Sequence, residues 1–232
     1  MACLSVAFGI RYCQAAQFYA ILHQLLKRMK VIVFGANGRV GAQVVKRALE
    51  KGHKVTAFVR TSESVSLLHP NLQVVQGDAM LQQDVEKHMA GQEAVISCLS
   101  SNEISYRLVF INHIINAMRR HRVKRVMAIG GIGALQASEH LKVYETSTFP
   151  REYVDLTQAH IRVLDALLTS RLEFTFVCPP MIEEAERTGT YKVQDNYPTP
   201  GWKVTSGDMA DFMVTELTER KHVGVKVGIS NA

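Results

Sequence analysis

The chain has 232 residues, 47% of them hydrophobic, which is enough for one α/β domain with a full core. Its net charge of +6 is modest, and no basic run carries interleaved aromatics, so a nucleic-acid partner is not expected. Cys3, Cys13, Cys98 and Cys178 form neither a CxxC pair nor a metal-ligand cluster. They read as free thiols of a reducing, cytoplasmic compartment, with no metal site.

Residues 1–28 are apolar and free of acids, and they hold Arg11, Lys27 and Arg28. Three readings compete: a targeting peptide lacking a charged start, an amphipathic helix, or a stretch ahead of a natural start at Met29. The helical reading rests on the spacing of Phe18, Ile21, Leu22, Leu25 and Leu26. The third is slightly favoured, and the stretch reads as a dispensable extension to a single domain over 29–232. Polar interruptions make it unfit to span a membrane.

The first element is a strand, Val31-Ile32-Val33-Phe34, which breaks at Gly35. Glycines recur at Gly38 and Gly41, and apolar residues then fall with helical period at Val40, Val44, Val45, Ala48 and Leu49. Gly52 stops that helix, and residues 54–59 read as a second strand. Strand, glycine turn, helix and strand make the first βαβ unit of a dinucleotide-binding fold. Gly35 provides the tight turn, Gly38 lets the backbone approach a pyrophosphate, and Gly41 lets the helix pack on the strand. The helix amino terminus then faces the phosphates. The spacing is GxxGxxG rather than GxGxxG, so the flanking elements carry the assignment.

The end of the second strand, 19 residues beyond Gly41, holds Arg60 and no acid. An NAD-binding strand of this kind usually ends in Asp or Glu, which takes the ribose 2′-hydroxyl. A guanidinium instead matches a 2′-phosphate in charge and fork geometry, with Arg39 as a second cation. NADP is therefore the expected cofactor; the alternative is a pair of solvated surface arginines.

Next come a short helix over 61–69, a third strand over 72–75, and Gly77-Asp78 at its end, where Asp78 caps a helix or approaches the adenine side. Residues 81–89 are helical, and 94–99 form a fourth strand followed by Ser100, Ser101 and Asn102. A long amphipathic helix fills 104–121, and a fifth strand fills 125–129 and ends in Gly130-Gly131-Ile132-Gly133. The stretch 134–150 is long enough to be a lid or substrate-side loop. A helix over 151–170 contains His160, and a sixth strand over 173–178 closes on Pro179-Pro180. The segment 181–202 reads as a loop covering the active-site side, with Tyr191 and Trp202 read as core-packing residues and lining of the site as the alternative. Ser206 caps a helix over 207–218, and 223–229 is a last strand. The fold class is α/β, a Rossmann-like doubly wound parallel sheet with helices on both faces.

FGANGRVG, FVR, QGDAM, GQEAVIS, VKRVMAIG, the TQAHIRVLDALLTSRLEFTFVCPP stretch, TGTYKV and SGDMADFMVTEL together span most of the chain after the extension. On these stretches the chain resembles the atypical short-chain dehydrogenase/reductases of the NAD(P)H-binding, NmrA-like type. Within that group it is similar to NADPH-dependent flavin reductases, which include the biliverdin-IXβ reductases. The resemblance implies cofactor contacts at Gly35, Asn37, Gly38, Arg39, Val40, Gly41, Arg60, Asp78, Ala79, Leu99, Ser100, Cys178, Pro179 and Pro180. It leaves His160 as the matching titratable candidate for catalysis, with a structural role as the alternative.

The chain also departs from that pattern. No Tyr is followed by Lys four residues on: Tyr144 meets Thr148 and Tyr153 meets Thr157. Alcohol–ketone chemistry thus lacks its usual proton donor. The relatives' Ser after the fifth strand is Gly131, and the His after their double proline is Met181. The expected function is an NADPH-dependent oxidoreductase passing hydride to a flavin-like, quinone or tetrapyrrole acceptor. The alternative is a non-catalytic NADP(H)-sensing regulator. The expected assembly is a monomer or weak homodimer.

Overall fold

The computed structural model describes residues 28–101 and 103–231. The helical and targeting readings of the first 27 residues therefore lie outside the described residues. The Met29 amide donates to His53 Nδ1 at 3.1 Å, and β1 (Lys30–Phe34) follows.

The chain then runs through α1 (Arg39–Glu50), β2 (Lys54–Val59), β3 (Leu72–Gln76), α2 (Gln82–Lys87) and β4 (Ala94–Ser97). It continues with α3 (Tyr106–His121), β5 (Arg125–Ile129), a small hairpin of β6 (Gln136–Ser138) and β7 (Leu141–Lys142), α4 (Val154–Ser170) and β8 (Glu173–Cys178). It ends with β9 (Met181–Glu183), β10 (Tyr191–Asp195), β11 (Lys203–Thr205), α5 (Ser206–Glu219) and β12 (Val225–Asn231).

Eight strands form one sheet in the order β10-β12-β8-β5-β4-β1-β2-β3. All pairings are parallel except that of β10 with β12. Strand order therefore reverses between β1 and β4, where a crevice opens at the carboxyl ends.

Two apolar layers hold the helices. Val31 and Val33 of β1 face the layer built with Val40, Val44 and Val45 of α1 and Met209, Met213 and Leu217 of α5. Ile32 and Phe34 face the other layer, with Val85 of α2, Ile111, Ile114 and Met118 of α3, and Val163 and Leu167 of α4. Burial on both faces explains why the central strands read as unbroken apolar runs.

Four expectations change. Residues 61–69 hold only a three-residue 3-10 turn, Ser62–Ser64. Ser64 Oγ bonds the Thr61 carbonyl, and Leu68 is exposed, so no buried face stabilises a helix there. The 134–150 stretch contains the β6–β7 hairpin and is tied down by Lys226 Nζ, which donates to the Ala134 carbonyl at 2.7 Å. The 181–202 segment contributes two strands, whose partners are β11 and β12. The α5 cap is Thr205, whose hydroxyl accepts from the Asp208 amide at 3.0 Å, while Ser206 Oγ donates to the Ala185 carbonyl.

Candidate functional site

The turn from β1 to α1 is shaped by contacts that leave no room for side chains. Gly35 sits at φ +73°, and a Cβ there would lie 2.8 Å from the Cys98 carbonyl oxygen. At Gly41 a Cβ would run into the Gly35 carbonyl, so the helix lies directly on the turn. The Gly38 amide closes the turn on the Gly35 carbonyl at 3.0 Å. Asn37, Gly38 and Arg39 are exposed at the tip, and Val40 is buried beneath them.

Register sets what stands next to this turn. Phe34 pairs with Phe58, so Arg60, one residue past β2, emerges beside the glycine turn. Arg39 and Arg60 are exposed, and neither makes an ion pair among the described residues. Past β3, Asp78 Oδ1 accepts from the Met80 amide at 2.9 Å, which closes a turn in the loop and does not cap the helix: the N-cap of α2 is Leu81, with no side-chain bond. Ala79 is buried, and its carbonyl meets His113 Nδ1 at 2.9 Å.

Across the crevice, the Cys98 amide donates to the Phe34 carbonyl, and Leu99 and Ser100 follow at the β4 end. Cys178 ends β8 fully buried, and burial pushes its thiol up to about 12, as it does that of Cys98. Both cysteines are free, and at these values they stay protonated at neutral pH. Pro179 is buried and Pro180 half-buried, and the Pro179 carbonyl accepts from the Ile132 amide at 2.9 Å. The residues expected at the cofactor thus follow the carboxyl ends of β1, β2, β3, β4 and β8 along one edge of the sheet.

His160 lies at the same edge, 8% exposed, beside Gly131: a Cβ on Gly131 would come within 2.9 Å of His160 Nδ1. The missing side chain at 131 is the space the imidazole uses. Burial, and secondarily the charge of Arg107, lower His160 to about 4, so the ring is neutral at pH 7. A neutral imidazole donates one hydrogen bond, but it is no reservoir of protons.

Arg107, in the first turn of α3, was not singled out by the sequence, where it looks like one more helical arginine. Burial lowers its affinity for its proton. Its Nη2 donates to Ser100 Oγ at 3.1 Å, and its buried Nε has no hydrogen-bond partner among the described residues. Arg107 and His160 line a cavity of about 20 Å³ with Leu99, Phe110 and Ile129. A second buried cation, Arg125, starts β5 at the opposite edge. It pairs with Glu216 at 3.2 Å inside the core, away from the crevice.

Tyr191 is a packing residue as expected, its hydroxyl donating to Asp211 and its ring edge-on to Phe212. Trp202 is not: it is 66% exposed, with Lys203 Nζ 5.3 Å from its ring centre. The Thr-Gly-Thr-Tyr stretch has a structural role. Buried Asp208 accepts from the Thr188 amide at 3.0 Å, the Thr188 hydroxyl at 2.6 Å and the Gly189 amide at 2.8 Å.

The cradle fits a dinucleotide. A glycine turn that a Cβ would obstruct opens a helix at the strand-order reversal, with exposed Arg39 at its tip and exposed Arg60 past β2. Comparisons with known proteins agree with that geometry. YwnB, an uncharacterised protein of Bacillus subtilis, is 26% identical over 206 residues, which cover 84% of this chain and 93% of that one. Among solved structures, a provisionally named exported protein of Burkholderia pseudomallei has a TM-score of 0.78 at 26% identity, covering 87% of this chain and 99% of that one. A provisionally named NADH-flavin reductase of Streptococcus pneumoniae has a TM-score of 0.77 at 26% identity, covering 88% and 100%. Residues 35–220 match the model of the NAD(P)H-binding family, from the first glycine of the turn to the end of α5, and the chain belongs to that family.

Proposed function

We propose that this protein is an NADPH-dependent reductase that passes hydride to a flavin-like acceptor. The observation that carries the reading is exposed Arg60, past β2 where an NAD-binding chain would place an acid, together with exposed Arg39 at the tip of the glycine turn, neither ion-paired among the described residues. Bound NADPH would supply the hydride. Asn37, Arg39 and Val40 would hold its pyrophosphate through backbone amides, with Gly38 leaving room for the approach, and Arg60 its 2′-phosphate. Leu99, Ser100 and the Cys178-Pro179-Pro180 turn would border the nicotinamide end.

The chain offers no strong general acid at that end. His160 is neutral at pH 7, and Gly131 and Met181 stand where the resembling reductases carry Ser and His. A flavin needs only positioning and exclusion of water, because its second proton can come from solvent. Carbonyl acceptors, which need a placed donor, fit poorly. The similarity to the provisionally named NADH-flavin reductase supports the same class of acceptor. Free Cys98 and Cys178 support a cytoplasmic setting, and we propose a monomer or weak homodimer there. No described helix is long and apolar enough to cross a membrane.

The test is steady-state NADPH oxidation with FMN, riboflavin, a quinone, a tetrapyrrole and a simple ketone. Flavin reduction with little ketone reduction is the expected result. Tight NADPH binding without oxidation by any acceptor would replace this reading with that of an NADP(H) sensor.

A further inference from the structure

Arg107 holds a positive charge without a carboxylate partner at the carboxyl edge of the sheet. Its only hydrogen bonds among the described residues go to neutral oxygens of Ser100 and Ser101. Its Nε is buried and unpartnered, which costs folding free energy and marks the position as one not chosen for stability. Across the cavity stands His160, whose ring makes no hydrogen bond among the described residues. Leu99, Phe110 and Ile129 form the remaining apolar wall. A cationic donor and a neutral imidazole therefore line one small space, an arrangement that favours an anion over a neutral group.

Size narrows the anion. The cavity measures about 20 Å³, one to two water-sized sites, which suits the two oxygens of a carboxylate better than a four-oxygen phosphate. A guanidinium also meets a carboxylate through two parallel bonds, and only its Nη2 is engaged, by the Ser100 and Ser101 oxygens.

We propose that this cavity is a carboxylate subsite of the acceptor pocket, in which Arg107 pairs with a carboxylate carried by the acceptor and His160 donates a second hydrogen bond to it. The inference rests on the reading of this edge as the acceptor side. It adds that the flavin-like acceptor carries a carboxylate on its conjugated ring system.

The test needs no turnover, so its outcome is independent of the acceptor panel. The full chain, saturated with NADP⁺, is titrated calorimetrically with benzoate, benzamide and phenyl phosphate. Benzoate is expected to bind about ten- to a hundredfold more tightly than benzamide, the range of a hydrogen bond to a charged group. Arg107→Met, which keeps the apolar contacts, should remove that preference while retaining the NADP⁺-induced rise in Tm, and Arg107→Gln should do the same. Equal binding of benzoate and benzamide, no binding of any probe, or a preference that survives both substitutions would overturn the proposal. Tighter binding of phenyl phosphate would overturn the carboxylate assignment in favour of a phosphate.

Discussion

Arg60 is the residue on which cofactor choice turns. It stands exposed beside the glycine turn with no ion-pair partner among the described residues, and a hydrogen bond to a charged phosphate contributes about 1.5–3 kcal/mol. Arg60→Ala should therefore weaken NADPH by about one to two decades and leave NADH nearly unchanged, as measured by fluorescence titration. Equal losses for both cofactors would assign Arg60 to the pyrophosphate or the fold. His160 makes a different prediction. Its folded value of about 4 lies below the ordinary 6.5, so the unfolded chain takes up a proton first as pH falls. Stability from the neutral ring is fully present above about pH 6.5 and is lost between there and pH 4, by roughly 3 kcal/mol in all. His160→Gln should flatten the fall of Tm across that window, and a parallel shift of the whole curve would contradict it. Gly131→Ser must displace the same ring, so it should lower stability by about 1–3 kcal/mol in chemical denaturation. The sequence made Gly131 and His160 visible singly, but not that one occupies the space of the other, because 29 positions separate them.

The elements divide by how local their causes are. β1, α1 and β2 were legible because an unbroken apolar run, a 3.6-residue period and three glycines are all features of adjacent residues. The strands β9 and β10 were not, since β9 exists by pairing with β11 and β10 by pairing with β12. Arg107 was missed for a related reason. It shares a helix with Arg119 and Arg120, and only the fold half-buries one while leaving the others exposed. The Thr-Gly-Thr-Tyr stretch was conspicuous, but its role as ligand to a buried carboxylate required α5 to be in place. Asp208 is fully buried. Burial alone would raise its pKa, but hydrogen bonds from Thr188, Asn231, Gly189 and Thr205 outweigh that and hold it below the usual range. Asp208→Ala strips these donors of their acceptor, and it should cost about 3 kcal/mol in urea denaturation with the midpoint shifted and the slope retained. A loss below about 0.5 kcal/mol would mean the loop is held by its strand pairings.

At the scale of the whole molecule, two apolar layers clamp a parallel sheet, and the chemistry gathers at one edge of it. The buried Arg125–Glu216 pair sits at the other edge, so the substitutions proposed at the crevice do not touch it. The first described strand begins at Lys30, already paired with β2 and β4. A chain starting at Met29 should accordingly fold and show an NADPH-induced rise in Tm, and loss of that rise would make the first 28 residues part of the site. The central claim is hydride transfer from NADPH to an acceptor that needs positioning alone. The most direct measurement is the rate of NADPH oxidation at saturating FMN, with NADH and a simple ketone as comparisons under the same conditions. The account predicts flavin-dependent oxidation of NADPH that is faster than that of NADH and lost towards the ketone. NADPH that binds tightly yet is oxidised by no flavin would contradict it.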